Sequence, residues 1–183
     1  MKLTKLLKAI DIYSVCTFDA ERKAQSTKPN EKEGHTPNAK RYAKRPDWDI
    51  GSIHYRAQEV QPGGMFVAIE GQTADGHDFM PQALKRGAAA IIAQKEPPQS
   101  FLNEISAASP KNRPIIIRVP NTRIALADLA TRFFGHPSQA MTLVGITGTN
   151  GKTTVAYLVE NILLQAGFKV GVIGTINYRY RDK

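Results

Sequence analysis

The chain has 183 residues, 42% hydrophobic and 22% charged, a globular balance that holds one ordinary domain or two small ones and excludes a disordered or fibrous class. No apolar run approaches a membrane span, and the N-terminus lacks the continuous apolar core of a signal peptide. The net charge of +9 raises nucleic acid as a partner, yet eight basic residues (Arg22, Lys23, Lys28, Lys32, Lys40, Arg41, Lys44, Arg45) fall in one polar stretch; the remainder suits an anionic ligand.

Leu3, Leu6, Leu7 and Ile10 stand at helical spacing, so a short amphipathic helix opens the chain. The single cysteine, Cys16, excludes an intramolecular disulfide, fits a reducing cytoplasm and reads as a small core residue. Residues 19–47 are nearly free of large apolar groups and predict a flexible insert, with a basic nucleic-acid tail as the alternative. Order resumes at Trp48. Strands are predicted over residues 50–55, 65–69, 88–93 and 115–119, with a Pro62-Gly63 turn between the first two. Asp78 is the predicted cap of a helix carrying Phe79, Ala83 and Leu84, which Gly87 stops. The polar, proline-containing stretch up to Arg113 reads as loop. Asn121 or Thr122 caps a helix to about Phe134, with Ile124, Ala127, Ala130, Phe133 and Phe134 available for burial. Strands alternating with helices predict an α/β fold with a mainly parallel sheet.

The most informative stretch follows. An apolar run over residues 143–146 has the length of a buried strand, and it leads into Gly148-Thr149-Asn150-Gly151-Lys152-Thr153-Thr154. After Lys152 the apolar residues Val155, Leu158, Val159, Ile162, Leu163 and Ala166 mark one helical face. Strand, glycine turn and helix start are the geometry of a phosphate-binding loop: the helix end aims N–H groups and partial positive charge at one point. Glycines allow close approach of a polyphosphate, Lys152 reaches its terminal phosphates, and the Thr153 hydroxyl is placed to ligate Mg²⁺. The general pattern G-x-x-x-x-G-K-[ST] asks for glycine at position 146, where this chain has Ile146. A glycine-rich structural turn with a merely solvated lysine is the bland alternative.

Gly148-Thr-Asn-Gly-Lys-Thr-Thr154 and the downstream Gly167-Phe-Lys-Val-Gly-Val-Ile-Gly-Thr175 resemble the Mur ligases, most closely the MurE type. Pro62-Gly-Gly-Met-Phe-Val-Ala-Ile-Glu-Gly71, Asp75-Gly-His-Asp-Phe79 and Ala83-Leu-Lys-Arg-Gly-Ala-Ala-Ala-Ile-Ile92 are similar to that family's UDP-binding domain. The resemblance implies a small α/β UDP-binding domain over residues 1–120, then the first β-α-β unit of a P-loop ATPase domain over residues 121–183. It implies peptidoglycan precursor synthesis in the cytoplasm by an ATP-dependent, amide-bond-forming ligase. Such an enzyme adds the third amino acid, 2,6-diaminopimelate or lysine, to UDP-N-acetylmuramoyl-L-alanyl-D-glutamate through an acyl phosphate. ATP and Mg²⁺ are the implied cofactors and the UDP-muramoyl dipeptide the implied partner of a monomer, without nucleic acid or membrane insertion.

The resemblance assigns ATP to Gly148, Thr149, Asn150, Gly151, Lys152, Thr153 and Thr154, with Lys152 in the catalytic role and Thr153 on Mg²⁺. It assigns the UDP substrate to Ile53, Tyr55 and Arg56, and to Gln72, Thr73 and Ala74. His54 and Tyr55 replace the Asp and Ser of the family's motif, so a ring stands where a small hydroxyl is usual. Read alone, Tyr55 is an edge-strand aromatic, Arg56 a surface charge, and Asp75-Gly76 a turn signal. His77 reads as a loop residue; with His35, His54 and His136 it forms no ligand spacing. The 183 residues resemble only the UDP domain and the start of the ATPase domain, so by themselves they are expected not to complete the reaction. A non-catalytic UDP-sugar or nucleotide-binding module and a basic nucleic-acid-associated NTPase are the competing readings.

Overall fold

The computed structural model describes residues 1–12, 14–17, 25–27, 48–109, 112–176 and 178–180. The chain divides into two compact units, Met1–Pro137 and Ser138–Lys183.

The first unit is built on a six-stranded sheet, and four of its strands carry the predicted apolar runs. They are β3 (Ile53–His54), β4 (Met65–Val67), β5 (Ala90–Ala93) and β6 (Ile115–Arg118), all parallel in the order β6-β5-β4-β3. Two further strands, β1 (Ser14–Thr17) and β2 (Gln25–Thr27), extend the β6 edge in antiparallel pairing. β4 and β5 read as unbroken apolar runs because both sheet faces are covered. Met65, Val67, Ala90, Ile92 and Ile117 face one core, with Leu3, Leu6 and Leu7 of α1 (Leu3–Leu7) and Ala125 and Leu129 of α4 (Thr122–Phe133). Phe66, Ile91 and Ile116 face the other core. There they meet Ala83 and Leu84 of α2 (Met80–Lys85) and Phe101 and Ile105 of α3 (Gln99–Ala107). Successive strand residues thus alternate between two helix layers.

Several expectations are corrected here. The insert read over residues 19–47 contributes β2, whose backbone pairs Thr27, Ser26 and Gln25 with Val15, Cys16 and Thr17; the rest of that segment, and the side chain of Cys16, lie outside the described residues. The loop read before Arg113 contains α3. Its signal was the i, i+4 pair Phe101 and Ile105, both buried, behind Pro98, whose φ of −64° suits the residue that opens a helix. The cap expected from Asp78 comes instead from Asp75, whose side chain accepts from the His77 N–H and opens a 3-10 turn, Gly76–Phe79, ahead of α2. Gly87, at φ +82°, ends α2: its N–H and that of Ala88 return to Leu84 and Ala83.

Asn121 caps α4 as expected, accepting from the N–H groups of Arg123 and Ile124. The buried stripe is Thr122, Ala125 and Leu129 rather than the one through Ile124, Ala127 and Ala130; Ile124 is 61% exposed. Apolar residues occur all round this helix, so periodicity does not choose between stripes one residue apart. Because α4 packs on α1 and the sheet, the first unit extends through Pro137, one helix beyond the boundary expected near Pro120.

The second unit holds α5 (Lys152–Gln165) and an antiparallel hairpin of β7 (Gly171–Ile173) and β8 (Tyr178–Tyr180). Residues 142–148 have no regular secondary structure, so the strand read over residues 143–146 does not form. β7 and β8 pair only with each other, and among the described residues the run has no ladder partner; Leu143 and Val144 are exposed. The apolar face of α5 is likewise open, with Val155, Leu158 and Ile162 exposed. Arg179 ties the hairpin to this helix. Its guanidinium pairs with Glu160 and lies 3.9 Å from the centroid of the Tyr157 ring. Among the described residues no helix is long and apolar enough to cross a membrane.

The two stripes of α4 are separable by mutation. Leu129→Ala is expected to cost about 2–5 kcal/mol, as a large-to-small core change, and Ile124→Ala about 0.5 kcal/mol or less. Urea unfolding of both variants checks this; equal losses would mean that the helix is rotated.

Candidate functional site

Two groups of residues have the geometry of ligand sites, one in each unit.

In the second unit, α5 begins at Lys152 with no side-chain cap, and Gly151 precedes it at φ +77°, a left-handed conformation that a side chain would strain. Gly148 is also at positive φ, +152°. Residues 148–155 are exposed, so the N–H groups of the first helical turn face an open approach. The Lys152 ammonium folds over the loop and donates to the carbonyls of Gly148 at 2.5 Å and Thr149 at 3.3 Å. The loop therefore gathers an ammonium, a helix terminus and the Thr153 and Thr154 hydroxyls, a donor set that fits a polyphosphate. Among the described residues no three His, Cys, Asp or Glu side chains come together as a metal cluster.

In the first unit, Ile53 opens β3 and Tyr55 and Arg56 follow it, while Gln72, Thr73 and Ala74 lie in the loop that leaves β4. The two strands are parallel neighbours, so both segments leave the same sheet edge, the carboxyl ends where open α/β sheets take ligands. Tyr55 is exposed; the Arg56 guanidinium lies 5.6 Å from its ring centroid and pairs with Glu59 at 3.3 Å. His54 Nε2 is 2.8 Å from the Ser52 hydroxyl.

The loop after β4 is a miniature hairpin. Glu70 and Asp75 form an antiparallel bridge, and the Gly71 N–H donates to Ala74 O at 2.9 Å, which puts Gln72 and Thr73 at an exposed tip. Gly76 closes the base; a Cβ there would stand 2.6 Å from Ile69 backbone atoms.

Sequence reasoning missed what holds this base. His77 is buried, and its Nε2 accepts the N–H groups of Gln94 at 3.0 Å and Lys95 at 3.3 Å. An accepting Nε2 places the proton on Nδ1, which donates to Asp75 Oδ1 at 2.6 Å. His77 therefore fastens the loop after β4 to the loop after β5. Lys95 Nζ bridges Asp75 Oδ2 at 2.5 Å and Glu70 Oε1 at 3.1 Å, and Arg123 donates to Glu70 O at 2.7 Å from the first turn of α4. A hollow of about 290 Å³ beside this cluster is lined by Glu70, Gln94, Asn121, Thr122 and Arg123. Burial alone would raise the Asp75 carboxyl; hydrogen bonds from Lys95 and from the backbone and ring of His77 outweigh it and hold the group well below the usual carboxylate range. The same contact with Asp75, and then that with Glu70, raises the Lys95 ammonium above its ordinary value. The only sequence signal was Asp75-Gly-His77, legible as a turn but not as a clasp.

Comparison with known proteins assigns these two units. The Mur ligase family catalytic domain matches residues 49–134, and the Mur ligase middle domain matches residues 146–182. The chain belongs to the Mur ligase family. It is similar to the UDP-N-acetylmuramoyl-L-alanyl-D-glutamate–2,6-diaminopimelate ligase of Bacillus licheniformis, with 41% identity over 146 residues, 80% of this chain and 27% of that protein. The ligase of the same name from Aquifex aeolicus is 42% identical over 134 residues, 73% of this chain and 25% of that protein. A solved structure of a ligase of this name shares the fold at a TM-score of 0.50 and 20% identity, over 73% of this chain and 25% of that one. The chain thus spans about a quarter of the length of the curated relatives it matches.

The acidic clasp makes stability depend on pH in a defined direction. Since the folded Asp75 carboxyl titrates below its unfolded value, near 3.9, its contribution is complete above about pH 5 and is lost as pH falls through the depressed folded value. Asp75→Asn is expected to lower stability at pH 7 by about 1–2 kcal/mol, a charge-assisted hydrogen bond discounted for partial exposure. The gap to the unsubstituted chain should narrow on acidification to pH 3, where the unfolded carboxyl is largely protonated and the folded one is still ionised. Urea unfolding at pH 7 and at pH 3 measures both; a gap that widens in acid would contradict the assignment.

Proposed function

We propose that this Mur ligase chain supplies the UDP-substrate-binding and ATP-phosphate-binding parts of a MurE-type ligase in peptidoglycan precursor synthesis. The reaction joins the third amino acid to UDP-N-acetylmuramoyl-L-alanyl-D-glutamate. 2,6-Diaminopimelate is the amino acid in the names of its relatives. The carboxylate attacks the γ-phosphate of ATP, ADP leaves, and the incoming amine displaces phosphate from the acyl phosphate to form the amide.

The observation that carries the reading is the uncapped start of α5 behind the left-handed Gly151, with Lys152 folded over the loop. N–H groups of residues 151–154 would cradle the phosphates, Lys152 would leave its carbonyls for the terminal phosphates, and Thr153 would ligate Mg²⁺. Bound Mg²⁺ would neutralise charge on the transferring phosphoryl group. Gln72, Thr73 and Ala74, together with Ile53, Tyr55 and Arg56, would hold the UDP moiety at the carboxyl edge of the first sheet.

Lys152→Ala tests the phosphate loop. A charge-assisted hydrogen bond contributes roughly 1.5–3 kcal/mol, so Mg·ATP affinity should fall about tenfold to a hundredfold. Binding of UDP-muramoyl dipeptide should hardly change, and neither should the Tm without ligand, because Lys152 is exposed. Isothermal titration of both ligands decides it: unchanged ATP affinity in a folded variant makes the loop a structural turn and ends the ATPase reading.

A further inference from the structure

The hairpin that carries Gln72 and Thr73 has an electrostatic problem at its base. Glu70 and Asp75 are bridge partners, so two carboxylates stand directly across from each other, an arrangement that pushes paired strands apart. Two backbone hydrogen bonds bracket the pair, Gly71 N–H to Ala74 O and Gly76 N–H to Ile69 O, and neither offsets the charge of the facing carboxylates. The single ammonium of Lys95, from the neighbouring loop, touches both carboxylates at once. Its own backbone N–H is held by His77, so the lysine is anchored at its root as well as its tip.

We propose that Lys95 is a positioning residue for uridine-nucleotide binding: it neutralises the Glu70–Asp75 pair and so fixes the turn that presents Gln72 and Thr73. The assignment rests on the reading of this edge as the UDP site. Lys95 lies outside the six residues placed in that site and acts through the turn rather than on the ligand. Its side chain is about half exposed, so its loss leaves both cores intact. Arginine at the same position keeps the charge and reach needed to span two carboxylates.

The test compares the chain with Lys95→Met, Lys95→Arg and Gln72→Ala, using UDP and UDP-muramoyl dipeptide as titrants and amide hydrogen exchange at Gly71 as a ligand-free reporter of the turn. Lys95→Met should weaken nucleotide binding about three- to tenfold and speed Gly71 exchange, with Tm lowered by no more than a few degrees and the chain still folded; Lys95→Arg should restore both. Unchanged Gly71 exchange in Lys95→Met overturns the proposal whatever the ligand does. Unchanged affinity in Lys95→Met, while Gln72→Ala loses binding, overturns it and leaves the UDP reading standing. An unsubstituted chain without affinity for either titrant removes the UDP reading, and the proposal with it.

Discussion

Two-sided burial of β4, β5 and β6 is the constraint from which the first unit follows. Apart from Arg118, which pairs with Glu96 at the end of β6, the side chains of these short strands enter one helix layer or the other, so a one-residue slip would exchange the two cores. That fixes the register, and the register fixes where the strands end. All polar features of the candidate substrate site lie just beyond those ends. The loop after β4, the loop after β5 and the first turn of α4 converge there because β4, β5 and β6 are parallel neighbours.

The second unit obeys a different economy. Its helix and hairpin are tied by Arg179, which combines an ion pair with Glu160 and a cation–π contact with Tyr157, while among the described residues no side chain of α5 is buried. What is sharply defined in it is local: Gly148 and Gly151 at positive φ ahead of a helix start. A phosphate-binding loop is a backbone device, so its shape is set by the residues within it.

The same distinction explains what could be read from the amino-acid sequence. Runs such as Ala90–Ala93 and Ile115–Arg118, and the cap at Asn121, are local signals and were legible. The glycine turn and helix start of the candidate phosphate loop were legible for the same reason. The strand over residues 143–146 was not settled by its own apolarity, because a strand exists only with a partner. Helix α3 was hidden by its polar residues and by Pro97 and Pro98 just ahead of it, and its orientation depends on two side chains, Phe101 and Ile105, finding the second core. β2 contributes backbone pairing that composition does not announce. The clasp of His77 and Lys95 joins residues 17 and more positions apart through backbone N–H groups and the lysine ammonium, and no spacing rule reports it.

The posture of Lys152 has a thermodynamic consequence. Its ammonium is already shared between two loop carbonyls, so an arriving anion exchanges acceptors for the lysine instead of supplying its first ones. The gain in affinity is then the difference between phosphate oxygens and peptide carbonyls, smaller than the gross strength of the new contact. The same contacts hold the curvature of the loop, which lessens the ordering entropy that binding would cost. On the proposed reading such an exchange would favour ligands with concentrated negative charge over neutral ones of the same size, because the competitor for the lysine is part of the loop itself.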